Sequence, residues 1–119
     1  MKKIIYSPDY KAKIRKMRHD LDRQFGADIR QEIFKKINDR IHSIQDNEDI
    51  GLSCREVFCV DTDYQYIYAA KNYIFYHIDD DAIRIVKIYD EREDIMWKMF
   101  GIRTTKRETE EYWFSQSGF

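Results

Sequence analysis

The sequence predicts an α+β domain: an N-terminal strand, a two-helix hairpin packed on a mostly antiparallel sheet of three to four strands, and a short C-terminal helix. Three observations carry this. Apolar residues recur at helical spacing through residues 10–44, β-branched and aromatic runs fill residues 54–89, and the separators between those runs are short and polar. At 119 residues the chain makes one domain. That length supports a core without the disulfide or metal staples that become necessary below roughly 40 residues.

Lys3-Ile4-Ile5-Tyr6 is short and β-prone. Ser7 can cap free backbone N–H groups, and Pro8 suits a first helical position because it has no N–H to satisfy. Tyr10, Ile14, Met17, Leu21 and Phe25 then form one face of a helix, with Lys11, Lys13, Arg15, Lys16 and Arg18 largely on the other faces. Gly26 interrupts, and Ile29, Ile33, Ile37, Ile41 and Ile44 make the stripe of a second helix. The short break predicts an antiparallel hairpin whose stripes want a sheet to cover, as one helical layer.

After the acidic loop Asp46-Asn47-Glu48-Asp49-Ile50-Gly51, four runs have strand composition: Cys54–Val60, Tyr64–Ala70, Tyr73–Asp79 and Ile83–Tyr89. Short polar separators predict an antiparallel meander. Ile83, Ile85, Val86 and Ile88 place apolar groups on both faces, so the last strand is expected inside the sheet. Asp90 and Glu93 have capping-box spacing ahead of a helical turn carrying Ile95, Met96, Met99 and Phe100, which Gly101 stops. The domain is expected to span residues 1–101. Residues 102–119, with a late Tyr112-Trp113-Phe114 cluster, are left as an extension without an assigned role.

Composition excludes several classes. A 43% apolar and 36% charged chain is neither disordered nor fibrous. No apolar run approaches the ~20 residues that cross a bilayer, and the basic start ends at Ser7-Pro8-Asp9, unlike a signal peptide. Cys54 and Cys59 have neither CxxC spacing nor a nearby His, so they read as free buried thiols rather than a zinc site. Net charge is −1, but residues 1–42 hold 12 Lys+Arg against 6 Asp+Glu. That basic third either steers toward an acidic partner or forms the solvated faces of two helices.

Three stretches resemble the RelE/ParE superfamily of bacterial toxins from type II toxin–antitoxin modules. Tyr6-Ser7-Pro8-Asp9-Tyr10 resembles the family's strand-to-helix entry. The run from Tyr73 to Ile85 is similar to its strand, acidic turn and strand. Glu91-Arg92-Glu93-Asp94-Ile95-Met96, with Phe100-Gly101, resembles the ending of ParE-like plasmid-stabilisation proteins. The resemblance covers about residues 3–101. It implies a cytoplasmic bacterial protein with a cognate antitoxin as partner, no cofactor, no metal and no membrane.

RelE-like members are ribosome-dependent mRNA endonucleases. Their Lys/Arg cluster stabilises charge on the phosphoryl oxygens while a base takes the 2′-hydroxyl proton. ParE-like members inhibit DNA gyrase by binding. The strand position that typically carries a catalytic Arg in RelE reads Tyr73 here, and the closing basic run reads Asp90-Glu91-Arg92-Glu93-Asp94. Those carboxylates would repel mRNA, so the ParE-like reading, a gyrase-binding toxin, is the expectation.

Its partner-binding candidates, toward target or antitoxin, are Tyr73, Tyr76, Arg84, Lys87, Arg92 and Trp97. A nuclease would instead use His77, Arg84, Tyr89 and Arg92 on ribosome-bound mRNA. Arg92 either meets a partner's carboxylate or phosphate, or pairs with Asp90, Asp94 or a strand-turn Asp. His77 either joins Tyr76 and Tyr89 in an acid–base group or packs half-buried. Period-two alternation puts Arg84 and Lys87 on opposite faces.

Overall fold

The computed structural model describes residues 1–102; residues 103–119, including Tyr112-Trp113-Phe114, lie outside the described residues. The chain runs β1 (Lys3–Tyr6), α1 (Pro8–Phe25), α2 (Ala27–Asp46), β2 (Leu52–Ser53), α3 (Cys54–Phe58), β3 (Gln65–Ala69), β4 (Asn72–Ile78), β5 (Ala82–Asp90) and α4 (Ile95–Phe100). The strands form one sheet in the order β1-β5-β4-β3-β2. β3, β4 and β5 make the expected antiparallel meander. β1 joins the far side of β5 in parallel, and the two-residue β2 completes a five-stranded mixed sheet.

Ser7 ties the first strand to the first helix. Its hydroxyl accepts from the Tyr10 N–H at 3.0 Å, satisfying an orphan donor of the first turn. The same hydroxyl donates to the Val86 carbonyl at 2.6 Å, and the Ser7 N–H donates to the Ile85 carbonyl at 2.9 Å. At the other end, Gly26 alone separates α1 from α2. Its N–H closes α1 on the Asp22 carbonyl, its carbonyl accepts from the Arg30 N–H, and its φ of +87° is open to glycine without a Cβ penalty.

The hairpin covers one face of the sheet. Tyr10, Phe34, Ile37, Ile41 and Ile44 pack there against Ile67, Ile74, Tyr76, Ile83, Ile85 and Ile88. The stripes do not stay buried along their whole length. Phe25 and Ile29, beside the Gly26 turn, are exposed, while Phe34, outside the isoleucine stripe, is buried.

A second, smaller layer covers the opposite face, where one helical layer was expected. There α3 and α4 bring Cys54, Val57, Phe58, Ile95 and Met96 onto Tyr66, Phe75 and Tyr89. The run expected as a strand over Cys54–Val60 is therefore corrected to the helix α3. Its buried residues Cys54, Val57 and Phe58 follow helical spacing, and Ser53 caps it by accepting from the Glu56 N–H at 3.4 Å. Burial pushes the Cys54 thiol up to about 12. Cys59, at the helix end, is exposed, so only one of the two thiols is buried.

The start of α4 also differs from the expected capping box. Its cap is Asp94, whose carboxylate accepts from the Trp97 N–H at 3.1 Å. Asp90 and Glu93 close the preceding turn instead, through Asp90 N–H to Glu93 Oε2 at 2.7 Å and Glu93 N–H to the Asp90 carbonyl at 3.0 Å. The helix ends at Gly101, as expected.

Candidate functional site

A bulge in β5 decides which cations share a surface. Phe75 pairs with Lys87 but Tyr76 pairs with Ile85, so Val86 is an extra residue in the ladder. Side-chain parity flips across it. Lys87 shares the face of Phe75, Arg84 shares the face of His77, and Phe75 and His77 are two residues apart on β4. Arg84 and Lys87 thus lie on the same face of the sheet, the face covered by α3 and α4, and not on opposite faces as alternation predicted.

The cations among the candidate residues, Arg84, Lys87 and Arg92, and Lys13 and Lys98 beside them, are each held by a carboxylate. The Arg92 Nε and a terminal nitrogen reach the two oxygens of Asp90 at 2.8 and 3.3 Å, and the Arg92 backbone N–H adds a third bond to Asp90 at 2.9 Å. The guanidinium bond holds the Asp90 carboxyl below its ordinary 3.8. Glu93 sits between Lys13 of α1, at 3.0 Å, and Lys98 of α4, at 2.7 Å. Burial, the largest influence, pushes Glu93 up, but the bonds from Lys98, Lys13 and the Asp90 N–H together hold it below 4.5. Lys87 pairs with Asp9, whose hydrogen bond raises the Lys87 pKa. Arg84 pairs with Asp79, which with the Asp81 and Ala82 N–H groups drops to about 2.

The remaining candidates are spread out. Tyr76 is fully buried under the helical hairpin, so a core position replaces the partner contact expected of it. It also faces away from His77, its neighbour on β4. The His77 ring lies 5.5 Å from that of Tyr64 and opposite Arg84 in the ladder. Tyr89 pairs with Tyr73, four residues further along β4, or roughly 13 Å from His77 at strand rise. His77, Tyr76 and Tyr89 therefore form no common acid–base group. Tyr73 is half-buried and Trp97 is exposed on α4. No group of three His, Cys, Asp or Glu among the described residues is placed to hold a metal ion, and no helix among them is long and apolar enough to cross a membrane.

A second surface, a groove of about 380 Å³, opens between α1, α2 and β1. Its floor is apolar, from Tyr6, Tyr10, Ile14, Phe34 and Ile37, with the Tyr6 and Tyr10 rings stacked at 5.2 Å. Its rim carries Lys11, Arg15, Arg18 and Asn38. Arg18 lies 5.7 Å over the Phe34 ring, a cation–π contact. Among the described residues, none of the three cations has an ion-pair partner. The sequence leaves these cations either steering toward an acidic partner or on the solvated faces of the two helices. Their spacing of four and three lines them along one flank, and that was the available signal. What turns the flank into a groove is α2 lying beside it.

The profile of a family described as the ParE toxin of the type II toxin–antitoxin system, parDE, matches residues 4–95. That span includes the groove and the Arg92 turn and stops short of Trp97. Among solved structures, the chain is similar to one from the chromosomal ParDE toxin–antitoxin system of P. aeruginosa. The TM-score is 0.62 at 10% identity, covering 76% of this chain and 96% of that one, a likeness of fold. No curated protein matches the chain significantly.

Proposed function

Because this chain belongs to the ParE toxin family of type II toxin–antitoxin systems, we propose that it arrests bacterial growth by binding an essential cytoplasmic target, with DNA gyrase the first candidate. A cognate antitoxin neutralises it by covering the basic groove of α1 and α2. The observation that carries the binding reading is the pairing at the end of β5. Arg92, Lys13, Lys98 and Lys87 each sit on a carboxylate. A polyanion entering there would have to displace Asp90, Glu93 or Asp9. Two like charges at 4 Å repel by about 4 kcal/mol at an effective dielectric of 20. A transition state that concentrates negative charge on phosphoryl oxygens is disfavoured by that arrangement, whereas a protein partner with mixed charges is not.

The test compares two assays on the purified chain: supercoiling by gyrase, and cutting of ribosome-bound mRNA. The proposal expects supercoiling to fall while message stays intact. Message cut in the ribosome with gyrase untouched would instead establish the nuclease, built around His77 and Arg84. Growth unaffected when the chain is expressed without antitoxin would mark a non-toxic relative.

A further inference from the structure

We propose that the tip of the helical hairpin docks in the basic groove of a second copy of this chain, two copies exchanging tips about a two-fold axis. In the toxin proposed above the second copy would occupy the antitoxin's surface; that competition rests on the functional reading, and the dimer does not.

Two features of the hairpin lack a complement among the described residues. At the tip, Phe25 and Ile29 flank the Gly26 turn at 58% and 41% exposure. Asp28 and Glu32 border Ile29 on one shallow surface of α2, and neither has an ion-pair partner among the described residues. Lys35, on the same surface, is held by Asp39. The groove has the opposite character, an apolar floor with the unpaired cations Lys11, Arg15 and Arg18 on its rim. Each feature thus supplies what the other lacks. Tip against tip would oppose Asp28 and Glu32 to their own copies, and groove against groove would oppose the cations. Tip in groove pairs opposite charges around an apolar centre. The other cations of the tip do not interfere. Arg30 is held by Asp22, and Arg23, two positions before Phe25, projects from another side of α1.

Both features lie on one hairpin, so a two-fold arrangement makes the same contact twice and closes on itself. Gly26 is eleven residues beyond Arg15, or about 17 Å along the helix. A two-fold axis midway between them brings each tip over the other copy's groove. Made twice, the contact needs to bury only about 600 Å² each time to reach the ~1,200 Å² at which specific interfaces begin. The groove, at about 380 Å³, falls within the roughly 300–1,000 Å³ of sites that enclose small ligands, which leaves room for the Phe25 ring.

Sedimentation equilibrium of the full chain tests this, with circular dichroism confirming that each variant is folded. The unaltered chain should form a dimer and nothing larger. Reversing the groove with Lys11→Glu/Arg15→Glu, or the tip with Asp28→Lys/Glu32→Lys, should raise the dimer's dissociation constant at least about tenfold. Mixing the two variants should restore association, because a mixed dimer has opposite charges at both contacts. Phe25→Ser should weaken the dimer comparably. A chain that stays monomeric up to millimolar concentration would overturn the proposal. So would a dimer indifferent to Phe25→Ser or to either reversal, since its contact lies elsewhere. Failure of the mixture to associate would show that the tip does not meet the groove, and open-ended association would refute the two-fold arrangement. Antitoxin, gyrase and growth enter none of these readouts, so the dimer and the functional reading fail separately.

Discussion

Replacing Gly51 by alanine probes the close approach of its backbone to the buried Tyr76 side chain. A Cβ there would collide with the Tyr76 hydroxyl and lie 2.8 Å from its Cζ and 3.1 Å from the Tyr66 carbonyl oxygen. Tyr76 is fully buried and has nowhere to swing. Gly51 does not have a positive φ, so on chain entropy alone alanine would stabilise by about 0.4–1 kcal/mol. Overpacking of a tight core costs about 1–3 kcal/mol and wins. The same hydroxyl has no partner in hydrogen-bond geometry among the described residues. Burial holds its pKa up at about 12, with the Gly51 backbone N–H pulling the other way.

Tyr76→Phe removes an unsatisfied polar atom and is therefore expected to be neutral or to stabilise by up to about 1 kcal/mol. In the double variant the closest clash is gone, so the two substitutions should couple by at least about 1 kcal/mol. Urea unfolding of the four proteins with a shared m-value measures this. Strict additivity would refute the steric reasoning. A loss of more than about 1 kcal/mol in Tyr76→Phe would show that the hydroxyl is bonded in solution, with Gly51 N–H the evident donor.

Three further outcomes follow from the geometry. Ser7→Ala removes the α1 cap and the donor to Val86, and should cost about 2 kcal/mol by thermal unfolding, with Ser7→Thr recovering most of it. Glu93 titrates below its ordinary 4.5 in the fold, so its contribution is present above that pH and fades as pH falls through the lower folded value. Glu93→Gln should therefore lower the urea midpoint at pH 7 and shrink the difference between pH 7 and pH 3. Lys11→Glu/Arg15→Glu should weaken antitoxin binding by at least about tenfold and flatten its salt dependence, with the unfolding midpoint unchanged. Titration calorimetry at two salt concentrations measures the first part.

The elements that the sequence made legible are those specified by neighbours in the chain. Ser7-Pro8 marks a helix start whatever lies across the sheet, and Gly101 marks an end. The separators Lys71-Asn72 and Asp80-Asp81-Ala82 are too short for anything but antiparallel neighbours. Where structure and sequence differ, the deciding partner is remote or the local signal ambiguous. Cys54–Val60 has strand composition, yet its buried positions follow helical spacing, and a run of seven residues does not separate the two. Phe25 and Ile29 continue their stripes in sequence, but they flank the Gly26 turn and stay exposed. For Arg92, Asp90 was one of several possible partners, and only coordinates select it.

The bulge at Val86 shows why the candidate surface was less legible than the fold. Parity along a strand is a local rule, and one extra residue inverts it for everything beyond. Nothing in Arg84-Ile85-Val86-Lys87 announces that residue, since each side chain suits a regular strand. What meets the carbonyls of Ile85 and Val86 is Ser7, whose N–H and hydroxyl take one each. The same hydroxyl caps α1. The side that Lys87 presents is thus linked to Ser7, 79 positions before Val86 in the chain, and through Asp9 that lysine is then tied to the first turn of α1. If this linkage holds, Ser7→Ala should do more than destabilise. With the bulge loosened, amide exchange should rise at Ile85, Val86 and Lys87 beyond the protection lost elsewhere in β5. A uniform loss along the strand would mean that the bulge stands without Ser7.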